Sequence, residues 1–130
     1  MYESIKHYIR ITVEAAYLDE QSRPDENYHV WAYTIGIENR SDEPVTLKTR
    51  YWKITDAQGR VQEVRGAGVV GEQPTLKPGQ RFEYTSGAPL TTATGFMGGA
   101  YQMQDDKGEM FEVDIPAFSL DSPHTSGKLH

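Results

Sequence analysis

Alternation of apolar and polar residues is the first feature of this chain, and it begins near the N-terminus. Six apolar side chains between residues 5 and 17 share one parity: Ile5, Ile9, Ile11, Val13, Ala15 and Tyr17. A period of two is typical of a half-buried β-strand. Because such a strand would span roughly 43 Å, about twice the usual length, we expect it to bend or to cross between two sheets. Its length also offers an edge on which a second copy could pair, which makes a homodimer possible.

The same alternation recurs along the chain and is interrupted by turn-forming residues. Aromatic and β-branched residues make 28–39 the strongest candidate for a central strand, and Trp31 and Trp52 are expected in the core of facing sheets. A change of phase within 45–56 predicts a bulge near 49–51. Hairpin turns are predicted at 56–59 and 105–108. Pro116 is expected to end the last strand, with Phe118 and Leu120 packing back on the core.

These segments amount to about seven strands, and no stretch shows helical periodicity. The sequence therefore predicts an all-β fold, an antiparallel β-sandwich of immunoglobulin-like or fibronectin type III-like character. The length favours one domain, which we place at residues 1–120. Residues 121–130 (DSPHTSGKLH) are predicted to form a disordered C-terminal tail.

Composition narrows the functional classes. The chain has no Cys, which excludes disulfides and thiolate metal sites and fits a reducing cytoplasm, where we expect the protein to reside. A net charge of −6 argues against a nucleic-acid partner, and no apolar stretch is long enough to insert into a membrane. The four His show no ligand spacing, and His7 and His29 are expected within strands. We therefore expect no metal, no cofactor and no catalytic residues.

A glycine run at residues 65–72 (RGAGVVGE) matches the G-x-G-x-x-G expression of a dinucleotide-binding turn. That motif works only where a helix begins at the glycines, so that its free N–H groups meet the pyrophosphate. Here Pro74, Pro78 and Gly79 follow, and the next element is a predicted strand. The run is therefore predicted to be a loop between two strands.

This loop is the candidate ligand or partner site, and its residues are Arg65, Gly66, Gly68, Gly71 and Glu72. Three interpretations stay open. The glycines adopt positive φ or let two backbones approach closely, or successive N–H groups form an anion nest beside Arg65, or the loop docks a partner. The docking interpretation predicts that Gly68→Arg leaves folding intact while abolishing the interaction.

Longer stretches carry a family resemblance. VRGAGVVGEQP at 64–74, LKPG at 76–79 and FEYTSG at 82–87 resemble the ApaG family, as do YHVWAY at 28–33 and MGGAYQ at 97–102. The resemblance extends from the N-terminal strand to Phe118. It implies a fibronectin type III-like sandwich and a bacterial protein. It also implies links by gene neighbourhood to diadenosine tetraphosphate hydrolysis and rRNA dimethylation, and by phenotype to cobalt and magnesium efflux.

Two functions follow as hypotheses. The first is a non-catalytic module that binds a protein partner or regulates it, with the link to divalent-cation homeostasis implied by the resemblance. The alternative is a binder or processor of phosphate compounds, such as pyrophosphate or diadenosine polyphosphates, acting through the loop between Gly66 and Gly71. The sequence itself favours the first, because it shows no nucleophile with an adjacent base.

Overall fold

The computed structural model describes residues 1–123 and consists of two antiparallel sheets packed face to face. One sheet has the order β1-β2-β3-β7, and the other has the order β5-β4-β8-β9, with the short β6 paired to β4. The strands are β1 (Tyr2–Lys6), β2 (Ile9–Tyr17), β3 (His29–Asn39), β4 (Val45–Asp56), β5 (Val61–Ala67), β6 (Thr75–Leu76), β7 (Arg81–Leu90), β8 (Thr94–Gln104) and β9 (Met110–Asp121). Two short 3-10 helices, Asp19–Gln21 and Pro24–Glu26, lie between β2 and β3. The predicted all-β sandwich is confirmed.

The N-terminal segment is a hairpin, so the prediction of one long strand was wrong. His7 and Tyr8 both have positive φ, 53° and 63°, and form a two-residue turn that folds β1 back on β2. A pair of residues in this conformation matches the twist of the two strands it joins. Ile5 therefore lies opposite Arg10 and is 53% exposed, whereas Ile9 and Ile11 are buried. The expectation that His7 lies in a strand was also wrong.

This hairpin also removes the sequence argument for a homodimer. The argument rested on one long strand, and β1 has only five residues. The β1 strand lies against β9 of the other sheet, where the Ser4 hydroxyl donates to the Asp114 carbonyl at 2.8 Å. The Tyr2 hydroxyl also lies 3.0 Å from Ser119 Oγ. The two edges thus close one side of the sandwich, and the length argument no longer supports a dimer.

The core lies between the two sheets, as the alternation predicted. Trp31 on β3 and Trp52 on β4 come from facing sheets and are 1% and 3% exposed. The Trp52 ring makes edge contacts with Tyr33 at 5.2 Å and with Phe118 at 6.0 Å between centroids. Such ring pairs add to the free energy gained from burial of the apolar surface alone.

Two irregularities shape the five-stranded sheet. The register of β4 against β8 shifts between Leu47 and Thr49, next to the predicted bulge. The prediction that Pro116 ends the last strand was wrong, because β9 continues to Asp121. A second register shift occurs there, since Gly99 pairs with Ile115 but Met97 pairs with Phe118. A bulge tolerates Pro inside a sheet, because the missing N–H is not needed by the ladder at that point.

The predicted hairpin turns are confirmed at both sites. The Gly59 N–H donates to the Asp56 carbonyl at 3.1 Å, and the Gly108 N–H donates to the Asp105 carbonyl at 3.1 Å. Most of the predicted tail, 124–130, lies outside the described residues, while Asp121 belongs to β9 and Ser122 is buried. Within residues 1–123, no helix is long and apolar enough to cross a membrane.

Candidate binding groove

The glycine run divides into two parts with different roles. Gly66 lies within β5, and Gly68 to Glu72 form a tight two-residue hairpin. Val69 and Glu72 exchange backbone hydrogen bonds of 2.8 and 2.9 Å, and Val70 and Gly71 occupy the turn with φ of 43° and 82°. Val69 is fully buried and anchors the hairpin to the core.

This geometry uses three of the N–H groups that an anion nest in the run could offer. The N–H groups of Val69 and Glu72 are used within the hairpin, and the Gly68 N–H donates to the Lys48 carbonyl at 2.9 Å. A nest needs successive N–H groups that converge on one point. The Arg65 side chain, moreover, projects over the Tyr51 ring. The N–H groups of Gly68, Val69 and Glu72 are therefore already bonded to backbone carbonyls.

Close packing of the backbone explains Gly66 and Gly68. A Cβ on Gly68 would lie 2.1 Å from the Glu72 carbonyl oxygen, which is fixed backbone. A Cβ on Gly66 would lie 2.9 Å from the Arg50 guanidinium, which packs across Gly66 and donates to the carbonyls of Ala67 and Gly68 at 3.1 and 2.9 Å. Both glycines thus permit close approaches, as one of the sequence interpretations predicted. For the same reason we now expect Gly68→Arg to disturb folding, contrary to the expectation from the sequence.

A larger feature lies on the outer face of the five-stranded sheet. It is a groove of about 890 Å³ that runs over β8, with β4 and β5 on one side and β9 on the other. Its floor consists of small residues on β8 and β9, and the exposed ring of Phe96 lies at one end. The floor residues are Gly98, Gly99, Ala100 and Ala117.

Basic side chains line one side of this groove, and we call Lys53 and Arg65 the cationic wall. The Arg65 guanidinium lies 4.6 Å from the centre of the Tyr51 ring, a favourable cation–π geometry. The Tyr51 hydroxyl donates to Glu63 at 2.6 Å, and this hydrogen bond lowers the pKa of Glu63 and raises the pKa of Tyr51. Arg65 also lies 3.5 Å from Glu63, yet its side chain is 71% exposed. The contacts orient Arg65 without burying its charge.

Carboxylates line the opposite side, and we call Glu112 and Asp114 the acidic wall. Both project from β9, where they alternate with the buried residues Val113 and Ile115. Asp114 lies 3.8 Å from Lys6, and both side chains are at least half exposed. An exposed pair of this kind contributes at most about 1 kcal/mol, so the carboxylate stays available to a ligand.

The structure brings together only part of the predicted site. Arg65 and Gly66 line the groove, whereas Gly68, Gly71 and Glu72 belong to the separate hairpin. Sequence reasoning missed the rest of the groove, although one signal was present. Gly98 and Gly99 are adjacent in the interior of a strand, and glycine there often marks a close approach by a ligand or another backbone.

Metal ligands and histidines are the next candidates for chemistry among residues 1–123. Within residues 1–123, no group of three or more His, Asp or Glu side chains could hold a metal ion. His7 packs on Phe111 with ring centroids 5.0 Å apart, and His29 is buried with Nδ1 3.0 Å from the Tyr17 hydroxyl. Neither lines the groove.

Two antiparallel sheets packed face to face, with an open groove on one outer face, define a β-sandwich domain of immunoglobulin-like class. The chain belongs to the ApaG family, because the family model described as "ApaG domain" matches residues 19–105. It is 60% identical to Protein ApaG of Parvibaculum lavamentivorans over 130 residues, 100% of both chains. It is also 62% identical to Protein ApaG of Rhodospirillum centenum over 124 residues, 95% of both chains.

Solved structures agree with this assignment. The crystal structure of the putative ApaA protein from Bordetella pertussis has a TM-score of 0.88 at 47% identity, and the match covers 94% of this chain and 100% of that one. The C-terminal domain of Wzt has a TM-score of 0.56 at 10% identity, covering 93% of this chain and 77% of that one. The second similarity shows the fold alone.

Proposed function

We propose that this protein is a non-catalytic binding module that engages a protein partner through the groove over β8. The observation that carries this proposal is Gly98, which opens the middle of the groove although neither its φ nor the space around it requires glycine. Its φ lies outside the left-handed region, and a Cβ there would meet Ala117 at an ordinary contact distance of 3.5 Å. Gly in a strand interior costs about 0.5–1 kcal/mol relative to Ala.

The neighbouring glycine provides a contrast. A Cβ on Gly99 would lie 2.0 Å from the Tyr51 carbonyl oxygen, so the pairing of β4 with β8 requires glycine at that position. Gly98 is therefore the residue whose small size is best explained by what occupies the groove. A rigid sheet is a suitable platform for such a site, because its backbone is fixed before the partner arrives.

Filling the groove tests this proposal. Gly98→Phe places a large side chain on the floor, and Gly87→Phe is a matched control on β7 of the other sheet. A Cβ on Gly87 would lie 3.7 Å from the Trp31 carbonyl oxygen, so that position also has room. Affinity capture from a lysate, quantified by mass spectrometry, should yield a partner that binds the wild type and Gly87→Phe but not Gly98→Phe.

The folded state of each variant needs its own measurement. Circular dichroism melts should agree between the two Phe variants within a few degrees, because neither side chain enters the core. If the captured proteins are the same for all three chains, the groove is not the binding surface. The variant Gly68→Arg is unsuitable here, because the clash with the Glu72 carbonyl would disturb the hairpin.

Phosphate compounds are a second candidate, favoured by the cationic wall. Lys53 and Arg65 lie on the same side of the groove, and the Arg65 guanidinium is largely exposed. Arg in particular suits bidentate contacts to phosphate oxygens. Calorimetric titration with pyrophosphate, ATP and diadenosine polyphosphates tests this, with Lys53→Gln and Arg65→Gln as variants. The absence of heat at millimolar ligand would exclude the second candidate.

A further inference from the structure

The groove carries opposite charges on its two sides, and this polarity indicates what the partner presents. Strand pairing sets the order: Lys53 lies opposite Gly98, and Asp114 lies opposite Ala100. Arg65 pairs with Tyr51 one strand further out. The cationic wall and the acidic wall therefore face each other across β8. A ligand lying along β8 would meet the cationic wall on one flank and the acidic wall on the other, with Glu63 beside Arg65 and Lys6 beside Asp114 as their partners.

The dimensions favour a single extended chain. From Phe96 to Gln102 the groove follows seven residues of β8, and the six steps between them span about 20 Å at the usual rise per residue. The strands β4 and β9 are two strand spacings apart, or roughly 10 Å. An α-helix with side chains is about 10–12 Å across and would rest on the walls above the glycine floor. An extended segment is narrow enough to lie on the floor.

A second copy of this chain is a poor occupant. Its outer sheet face carries the same groove, and two concave surfaces placed face to face leave an empty volume between them. Stable interfaces are packed as densely as protein interiors. The occupant must instead be convex, as one strand of polypeptide is.

Resting on the proposed protein-binding function, we infer that the groove binds an extended segment of the partner in which acidic and basic residues alternate. In an extended chain, successive side chains point to opposite sides. Residues of one parity then contact the cationic wall, and residues of the other parity contact the acidic wall. About six residues of the segment lie within the groove.

Two synthetic octapeptides of identical composition provide the test. The peptide TEKEKEKT alternates its charges, whereas TEEEKKKT groups them in blocks. Fluorescence anisotropy at low ionic strength should show that the wild type binds the alternating peptide about tenfold more tightly, since only that peptide satisfies both walls at once. Gly98→Phe should weaken binding of the alternating peptide to the level of the block peptide. Equal binding of the two peptides to the wild type, or no binding of either, would overturn the inference.

Charge exchange between the walls gives a stricter test. Reversing one wall, by Lys53→Glu with Arg65→Glu or by Glu112→Lys with Asp114→Lys, gives both sides the same sign. Each double variant should lose about tenfold in affinity for the alternating peptide. The quadruple variant restores opposite walls and the original net charge. It should regain most of the affinity, because the peptide can bind in the reverse direction.

These outcomes separate the inference from the function on which it rests. If Gly98→Phe loses the captured partner while reversal of either wall leaves partner and peptide binding unchanged, the groove binds a protein but not by charge alternation. If Gly98→Phe retains the partner, the proposed function itself fails. A quadruple variant that binds the alternating peptide no better than the double variants do would also refute the inference that the segment alternates in charge.

Discussion

Alanine substitutions along the glycine run should produce unequal losses of stability, although all the positions lie within one motif. Gly68 and Gly71 both have positive φ, 63° and 82°. Placing Ala in this region costs about 1–2 kcal/mol, partly offset by the lower entropy of the unfolded Ala chain. At Gly71 a new Cβ has no neighbour within 4 Å, so the net cost of Gly71→Ala should be about 1 kcal/mol.

At Gly68 the same substitution has further consequences. The new Cβ would lie 2.1 Å from the Glu72 oxygen and 2.8 Å from its carbonyl carbon, so the hairpin must shift. That shift would weaken or break the two hydrogen bonds between Val69 and Glu72, which contribute about 1 kcal/mol each. It also disturbs Val69, which is fully buried and contributes about 1.5 kcal/mol or more. We expect Gly68→Ala to cost about 3–5 kcal/mol in total.

Urea unfolding followed by tryptophan fluorescence measures these differences, because Trp31 and Trp52 are both buried in the core. The free energy of unfolding of a domain of this size is about 5–15 kcal/mol. The loss in Gly68→Ala should therefore lower the urea concentration at the unfolding midpoint clearly. Gly71→Ala is the matched control, because it carries the cost of placing Ala at positive φ without a steric clash. If the two variants differ by less than about 0.5 kcal/mol, the steric account of Gly68 is refuted.

Three further predictions concern single sites. Val70→Asn should raise the free energy of unfolding by about 1 kcal/mol in urea titration, because Val70 is an exposed β-branched residue with φ of 43°. Asn39→Ala should lower the free energy of unfolding by about 2–3 kcal/mol, since Nδ2 of the buried Asn39 donates to the carbonyls of Glu43 and Leu76. Burial raises the pKa of Tyr84 and Tyr101, so stability should be complete below the ordinary tyrosine value of 10.0 and fall as pH rises above it. Thermal melts across alkaline pH, with Tyr84→Phe showing a shallower decline, measure this effect.

The fold could be predicted because its determinants are local. Parity places Trp31 and Trp52 inside, and Asp-to-Gly turns mark two hairpins. The failures also have local causes. The first hairpin turns at His7-Tyr8, a pair without Gly, Asn or Asp, so no turn signal interrupts the alternation. Pro116 lies within a strand because a bulge in β9 relieves it of a ladder hydrogen bond.

The groove could not be predicted in the same way, because its residues are distant in sequence. Tyr51, Gly98 and Asp114 meet only because β4 pairs with β8 and β8 pairs with β9. The sequence therefore indicates only the glycine run, where the relevant residues are contiguous. Arg65 and Gly66 were identified because they belong both to the run and to the edge of the groove.

The two adjacent glycines of β8 allow a glycine required by the fold to be compared with one explained by binding. Gly99→Ala should strongly destabilise the fold, since its Cβ would lie 2.0 Å from the Tyr51 carbonyl oxygen within the ladder. Gly98→Ala should stabilise the fold by about 0.5–1 kcal/mol, because Ala restricts the unfolded chain and its Cβ meets only Ala117 at 3.5 Å. Urea titration of both variants decides the matter. A stabilising Gly98→Ala would show that this glycine is not required for stability, whereas a destabilising one would make it another packing residue and remove the observation on which the proposed function rests.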